Sequence, residues 1–205
     1  MDKINDTLEE FFEAWKTDDN SRYYSWEHCY NFFHNNKTEI LTDCKLLNTA
    51  SLHLAFYLAS WGMYRGSSNL LWKDYKIHEN LIKQLCSKCG YLWNANVEWE
   101  QVKEAKHIII DYYKRYDITA TDTLITKILM GIFGCVPAYD NFLKIALKNY
   151  GIPQTFNEDS FNQLKDLAKT IKIKPEFKQY PPMRLIDAYF WWLGGGKEAH
   201  NKRAK

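Results

Sequence analysis

Between Leu46 and Tyr64 the chain carries no Asp, Glu, Lys or Arg. A helix of that length is long enough to cross a bilayer. The same stretch holds Asn48, Thr49, Ser51, His53, Ser60 and Gly62, more polarity than a lipid-facing helix carries. It therefore reads as a helix of a globular core, apolar nearly all round from Leu52 to Arg65 and central to the fold. Such a helix needs other apolar helix faces to cover it.

The rest of the sequence supplies them. Thr7-Leu8-Glu9-Glu10 has the form of a capping box, and Leu8, Phe11, Phe12 and Trp15 follow on one face. A second helix is expected from Trp26 to Phe33, closed by His34-Asn35-Asn36, and residues 37–48 stay ambiguous. Helical character continues from Leu70 to Leu85, and Cys86 to Asn96 reads as an irregular connection. Trp99, Val102, Ala105, Ile109, Tyr113 and Tyr116 mark the next face. Thr119-Ala120-Thr121-Asp122 opens an apolar helix from Leu124 to Phe133. Pro137 breaks the chain near Cys135, and a helix from Tyr139 to Tyr150 stops at Gly151-Ile152-Pro153. Asn157 caps a helix with Phe161, Leu164, Leu167, Ala168 and Ile171 inward. Pro181-Pro182 begins a last one, Met183 to Leu193, ended by Gly194-Gly195-Gly196.

No period-2 run is long enough to be a strand, so the fold class is all-α. With 205 residues the chain suits a single all-helical domain over 1–196, of two lobes with a cleft between them. The tail 197–205 is polar and basic and reads as disordered.

Charge is unevenly spread. Residues 1–20 carry seven acids and two bases, and the remainder eighteen acids and twenty-five bases. A body of net +7 behind an acidic first helix permits a polyanionic partner, and the acidic helix offers a surface to a protein partner. Aromatic residues make up 16% of the chain. They are core fillers first, and they also stack on flat ligands such as bases. The five cysteines (29, 44, 86, 89 and 135) and the lack of a secretory leader point to reduced thiols in a cytoplasmic protein.

Cys86-Ser87-Lys88-Cys89 has the spacing of a metal or redox pair, but no second pair completes a zinc site, so no metal and no cofactor is expected. There is no HExxH, P-loop, GxGxxG or GxSxG motif. Arg65 and His78 are too far apart for the Arg-then-His motif of the HEPN-type ribonucleases.

Two segments are dense enough in chemistry to be sites. In Ser60-Trp61-Gly62-Met63-Tyr64-Arg65-Gly66-Ser67-Ser68, small residues alternate with two aromatics and an arginine that needs an anionic partner. Trp61 is either a core residue or a stacking surface. In Gly131-Ile132-Phe133-Gly134-Cys135-Val136-Pro137-Ala138-Tyr139-Asp140, a carboxylate stands at the start of a helix. Asp140 is either a helix cap or a fixed carboxylate at the mouth of a cleft.

The order of these elements resembles the helix-hairpin-helix DNA glycosylase superfamily, of the endonuclease III and 8-oxoguanine glycosylase type. LHLAFYLASWGMYRGSSNLL, Leu52 to Leu71, is similar to that family's first long core helix and following turn. ILMGIFGCVPAYDNFLKI, Ile128 to Ile145, resembles its second hairpin helix, Pro-containing loop and catalytic Asp. The likeness covers roughly residues 50–195. It implies recognition or excision of a base in nucleic acid, with DNA as the partner. Asp140 would stabilise positive charge on the sugar, and Trp61 or Tyr64 would stack the extruded base. Arg65 and Lys127 would contact phosphate or the base edge, with Tyr139 beside them. The family's hairpin glycines are absent from Tyr116 to Asp122, and Ala120, Thr121 and Asp122 occupy the positions of its Schiff-base lysine. The implied chemistry is therefore hydrolysis of an N-glycosidic bond without lyase activity. A non-enzymatic protein-interaction module on the same fold is the alternative.

Overall fold

The computed structural model of the protein describes residues 2–66, 68–94 and 96–202, apart from the Asp2 side chain. In chain order its helices are α1 (Asp2–Lys16), α2 (Tyr24–Asn35), α3 (Cys44–Ser60), α4 (Glu79–Lys88), α5 (Trp99–Lys114), α6 (Asp122–Ile132), α7 (Asn141–Asn149), α8 (Glu158–Thr170), α9 (Pro182–Trp191) and α10 (Lys197–Asn201). The chain is all-α, and no strand occurs among the described residues. It divides into two compact units, one of residues 1–21 and 135–205, the other of residues 22–134.

In the 22–134 unit, α3 packs against α2, α4 and α6. Asp43 starts α3 by accepting from the backbone N–H groups of Lys45 and Leu46, so the helix begins well before Leu52. It ends at Ser60, and residues 61–65 form a turn. The expectation of a helix buried all round over Leu52–Arg65 is corrected here. α3 buries Leu47, Ala50, Ser51, Leu54, Ala55, Tyr57 and Leu58, while Leu52 and Phe56, one turn apart, are 52% and 56% exposed. Its neighbours cover one side only. The helix that is buried through and through is α6, from Leu124 to Ile132.

The end of α6 explains how polar backbone is kept in that core. A helix leaves its last carbonyls without intrahelical partners. Here the Trp26 indole donates to the Met130 carbonyl at 3.0 Å, and the Trp93 indole to that of Ile132 at 3.0 Å. The Cys29 thiol reaches the Gly131 carbonyl at 3.5 Å. Gly131 is required for close packing, since a Cβ there would lie 2.9 Å from the Tyr57 ring.

Continuous helix over Leu70–Leu85 is also corrected. Ser68 and Asp74 each accept from a backbone N–H two residues on and set off separate 3-10 turns, Asn69–Trp72 and Tyr75–His78, ahead of α4. Such side-chain bonds compete with a continuous helix. The α5 face is as expected through Tyr113, after a capping box between Glu98 and Gln101.

In the other unit, α9 packs against α1, α7 and α8 and is buried from Met183 to Trp191. Leu8, Phe11, Phe12 and Trp15 of α1 are buried as their spacing requires. Thr7 does not cap α1. It lies within the helix and donates its hydroxyl to the Lys3 carbonyl at 2.8 Å. Two of the acids of α1 are matched inside this unit: Glu9 pairs with Lys174, and Glu10 with Lys197 and the Trp192 indole.

The triple glycine does not end the chain's helical path. Trp192–Gly196 forms a kinked π-type turn leading into α10, so Lys197–Asn201 is helical. Residues 203–205 of the expected tail lie outside the described residues, as does Ser67.

Candidate functional site

The 22–134 unit contains a cavity of about 350 Å³. One wall is the segment after α3, with Gly62, Met63, Arg65, Ser68 and Asn69; the other is the α5–α6 turn, from Asp117 to Thr121, with Leu124. Two left-handed glycines, Gly62 at φ +78° and Gly66 at φ +64°, let the first segment turn sharply. The Arg65 guanidinium folds back across Gly62, where a Cβ would stand 2.7 Å from Nε. Asn69 ties the two walls together by donating to the Asp117 carbonyl at 2.6 Å.

The cavity is polar on both sides. Arg65 is exposed, and Ser68, Asn69, Thr119 and Thr121 contribute hydroxyl and amide groups. Thr121 also caps α6, so the cavity lies at the end of that helix where its dipole is positive. Asp117 adds one carboxylate. An arginine, hydroxyls and a helix N-terminus together suit a phosphate group.

Tyr64, between cavity residues Met63 and Arg65, is held from inside. Its hydroxyl lies 2.7 Å from Nε2 of His78, and the Tyr113 hydroxyl lies 2.7 Å from Nδ1. His78 is fully buried, and burial lowers its pKa to about 3, so the ring is neutral. A neutral ring has one N–H and one acceptor nitrogen. Burial also raises the phenol of Tyr64, aided by the Asp74 charge, so it too stays protonated.

Trp61 is half-buried, and its indole donates to the Ser25 hydroxyl at 3.2 Å. Two cations stand over its ring, Arg22 at 4.7 Å and Lys127 at 5.0 Å from the centroid. Lys127 is buried within α6. The structure thus brings Trp61 and Lys127 together, and it sets Arg65 on the cavity wall and Tyr64 on His78.

Asp140 and Tyr139 belong to the other unit. Asp140 is half-buried and caps α7. Its Oδ1 accepts from the N–H groups of Phe142 and Leu143, each at 3.1 Å. The helix thus begins at Asn141 rather than at Tyr139. Tyr139 is fully buried, with its hydroxyl 2.6 Å from the Ser160 hydroxyl, which donates to the Pro153 carbonyl. The turn before Asp140 is held by Asp187, which accepts the Ala138 N–H at 2.8 Å and pairs with Arg184 at 2.7 Å. Both members of that ion pair are buried, and Arg184 lies over the rings of Phe11 and Trp15.

Sequence reasoning placed Ser68 within a candidate segment and missed Asn69, Asp117, Thr119, His78, Arg184 and Asp187. Thr119 stands in a stretch that reads only as a helix cap. The partners of His78, and the Ala138 N–H that Asp187 accepts, are too distant in sequence for any spacing to announce them.

Cys86 and Cys89 are buried. Burial pushes the Cys86 thiol up to about 12 and raises that of Cys89. Thiols so rarely ionised are poor nucleophiles. Among the described residues no three His, Cys, Asp or Glu side chains gather as a metal site, and no helix is long and apolar enough to cross a membrane. Compared with family models, curated proteins and solved structures, the chain matches none of them.

Proposed function

We propose that the chain recognises nucleic acid and seats a backbone phosphate in the cavity of the 22–134 unit. The observation that carries this reading is the lining of that cavity: Arg65, four hydroxyl or amide side chains and the N-terminal end of α6. Arginine supplies the charge, and the neutral donors fix the orientation of the phosphate oxygens. The net +7 of residues 21–205 favours the same class of partner at longer range. Excision of a base, the chemistry that the likeness to the glycosylases implies, is assigned to Asp140. Its carboxylate is fixed at the start of α7 and half-exposed, and it would favour developing positive charge on a sugar.

Binding of labelled oligonucleotides over a salt series tests the reading. Affinity should fall as salt rises, and Arg65→Ala should weaken binding while leaving the fold intact. A protein that binds no oligonucleotide at about 50 mM salt does not have this function.

A second reading rests on Leu52 and Phe56, which leave an apolar stripe of α3 open to water. A non-enzymatic protein that binds another chain through that stripe would bind its partner without regard to Arg65.

A further inference from the structure

Trp72 is the most exposed large apolar side chain among the described residues, at 81%. It closes the 3-10 turn Asn69–Trp72, which is anchored at Ser68, Asn69 and Leu70. Ser68 caps the turn, Leu70 is fully buried, and Asn69 is bonded to the Asp117 carbonyl. In a 3-10 helix the side chains at i and i+3 eclipse one another. Asn69 and Trp72 stand in that relation, and Asn69 lines the cavity. That relation sets the exposed indole on the side of the turn that carries Asn69, although Trp72 itself is not among the residues lining the cavity.

Three features stand on this segment and on the turn tied to it: a flat aromatic surface at Trp72, an arginine at Arg65 and a carboxylate at Asp117. A bare anion suits them poorly, because Asp117 opposes it and Trp72 offers it nothing. A nucleotide suits all three. Its phosphate takes Arg65, its base stacks on Trp72, and an exocyclic amino group gives Asp117 a donor. Stacking on an exposed ring needs a base face that is not already covered by its neighbours in a duplex.

We propose that this face binds an unpaired nucleotide in a single strand, with the base stacked on Trp72 beside the phosphate held at Arg65. The inference rests on the nucleic-acid reading above and narrows it to single-stranded or locally opened substrates.

The test compares a labelled single-stranded deoxycytidine oligomer, an abasic oligomer of equal length and a duplex. Each is titrated by fluorescence anisotropy against the wild-type chain, Trp72→Ala, Trp72→Phe and Arg65→Ala. Trp72 is so exposed that its replacement leaves the fold intact, which circular dichroism checks. The wild type should bind the single strand more tightly than the duplex. Trp72→Ala should lose about tenfold on the single strand and nothing on the abasic oligomer, while Trp72→Phe retains most of the affinity. Arg65→Ala should weaken both.

If Arg65→Ala weakens binding but Trp72→Ala does not, the phosphate seat stands and the stacking surface is refuted. Trp72 would then be open for a protein partner. If the wild type binds none of the three, the nucleic-acid reading and this inference fail together.

Discussion

The Tyr113 hydroxyl lies 2.7 Å from Nδ1 of His78, and both side chains are fully buried. A buried hydroxyl donor left without an acceptor is costly. The arrangement is satisfied when Tyr113 donates to Nδ1 and the opposite nitrogen carries the ring proton toward Tyr64. His78 thus links α5 to the segment that lines the cavity. It also makes the protein sensitive to acid. The fold favours the neutral ring, so its contribution is complete above the ordinary value of 6.5 and is lost as the pH falls toward about 3. Within that window the loss amounts to about 1.4 kcal/mol for each pH unit. His78→Gln should remove this slope from a plot of stability against pH. It should also cost about 1–3 kcal/mol at neutral pH, because the two tyrosines lose their common partner. Denaturant unfolding at several pH values measures both. An unchanged slope in the variant would assign the acid sensitivity to other groups.

Asp140 separates two roles by substitution. Its Oδ1 takes two α7 N–H groups, so Asp140→Ala should cost about 0.5–2 kcal/mol whatever the protein does. Asn caps nearly as well, so Asp140→Asn should stay close to wild-type stability. If Asp140 also carries the excision step, Asp140→Asn should abolish base release from a substrate that the wild type cleaves. The amide lacks the charge that favours a cationic sugar. An Asn variant that remains fully active would leave Asp140 with the capping role alone.

The glycines of the C-terminal turn serve close packing. A Cβ on Gly194 would stand 1.8 Å from the Phe142 carbonyl oxygen, against backbone in the first turn of α7. Gly66 has open space around it and only a positive φ to satisfy. Gly194→Ala should therefore cost about 3 kcal/mol or more, since helix backbone has to move. Gly66→Ala should cost about 1 kcal/mol, the penalty of a left-handed alanine. Thermal unfolding of the two variants should rank them in that order, and equal losses would mean that the turn at Trp192–Gly196 adapts freely.

Periodic apolar faces with a cap in front were readable: Thr121 before α6, Asn157 before α8 and Pro182 within α9 all act as their positions suggest. Thr7 misled because the pattern of a capping box also occurs inside a helix, where threonine bonds back to the carbonyl four residues earlier. The three glycines looked like a stop because glycine ends helices. The use of Gly194 and Gly195 depends on Phe142, some fifty positions away, which no local pattern contains, while Gly196 makes room for Trp191. Leu52 and Phe56 read as core because apolarity does not reveal which side of a helix its neighbours leave bare. At the candidate site Arg65 was evident from its charge in an apolar setting. The opposite wall of the cavity was hidden in residues that read only as a turn and a cap.

Salt dependence separates the two lysine and arginine candidates. Arg65 is exposed on the cavity wall, whereas Lys127 is buried within α6 with its amine 5.0 Å from the Trp61 ring. A phosphate can approach the first without disturbing the fold. It can reach the second only if α6 or the Trp61 turn opens. Each lost phosphate contact lowers the slope of log affinity against log salt by about 0.7 for a single strand. Arg65→Ala should lower the slope by that amount and leave stability within about 0.5 kcal/mol of the wild type. Lys127→Met should leave the slope unchanged and alter stability instead, because it replaces a buried cation over an indole with an apolar chain of similar length. Oligonucleotide titrations from about 50 to 200 mM salt, paired with denaturant unfolding, measure both quantities. A slope that falls with Lys127→Met and is untouched by Arg65→Ala would move the phosphate contact from the cavity to the Trp61 cluster.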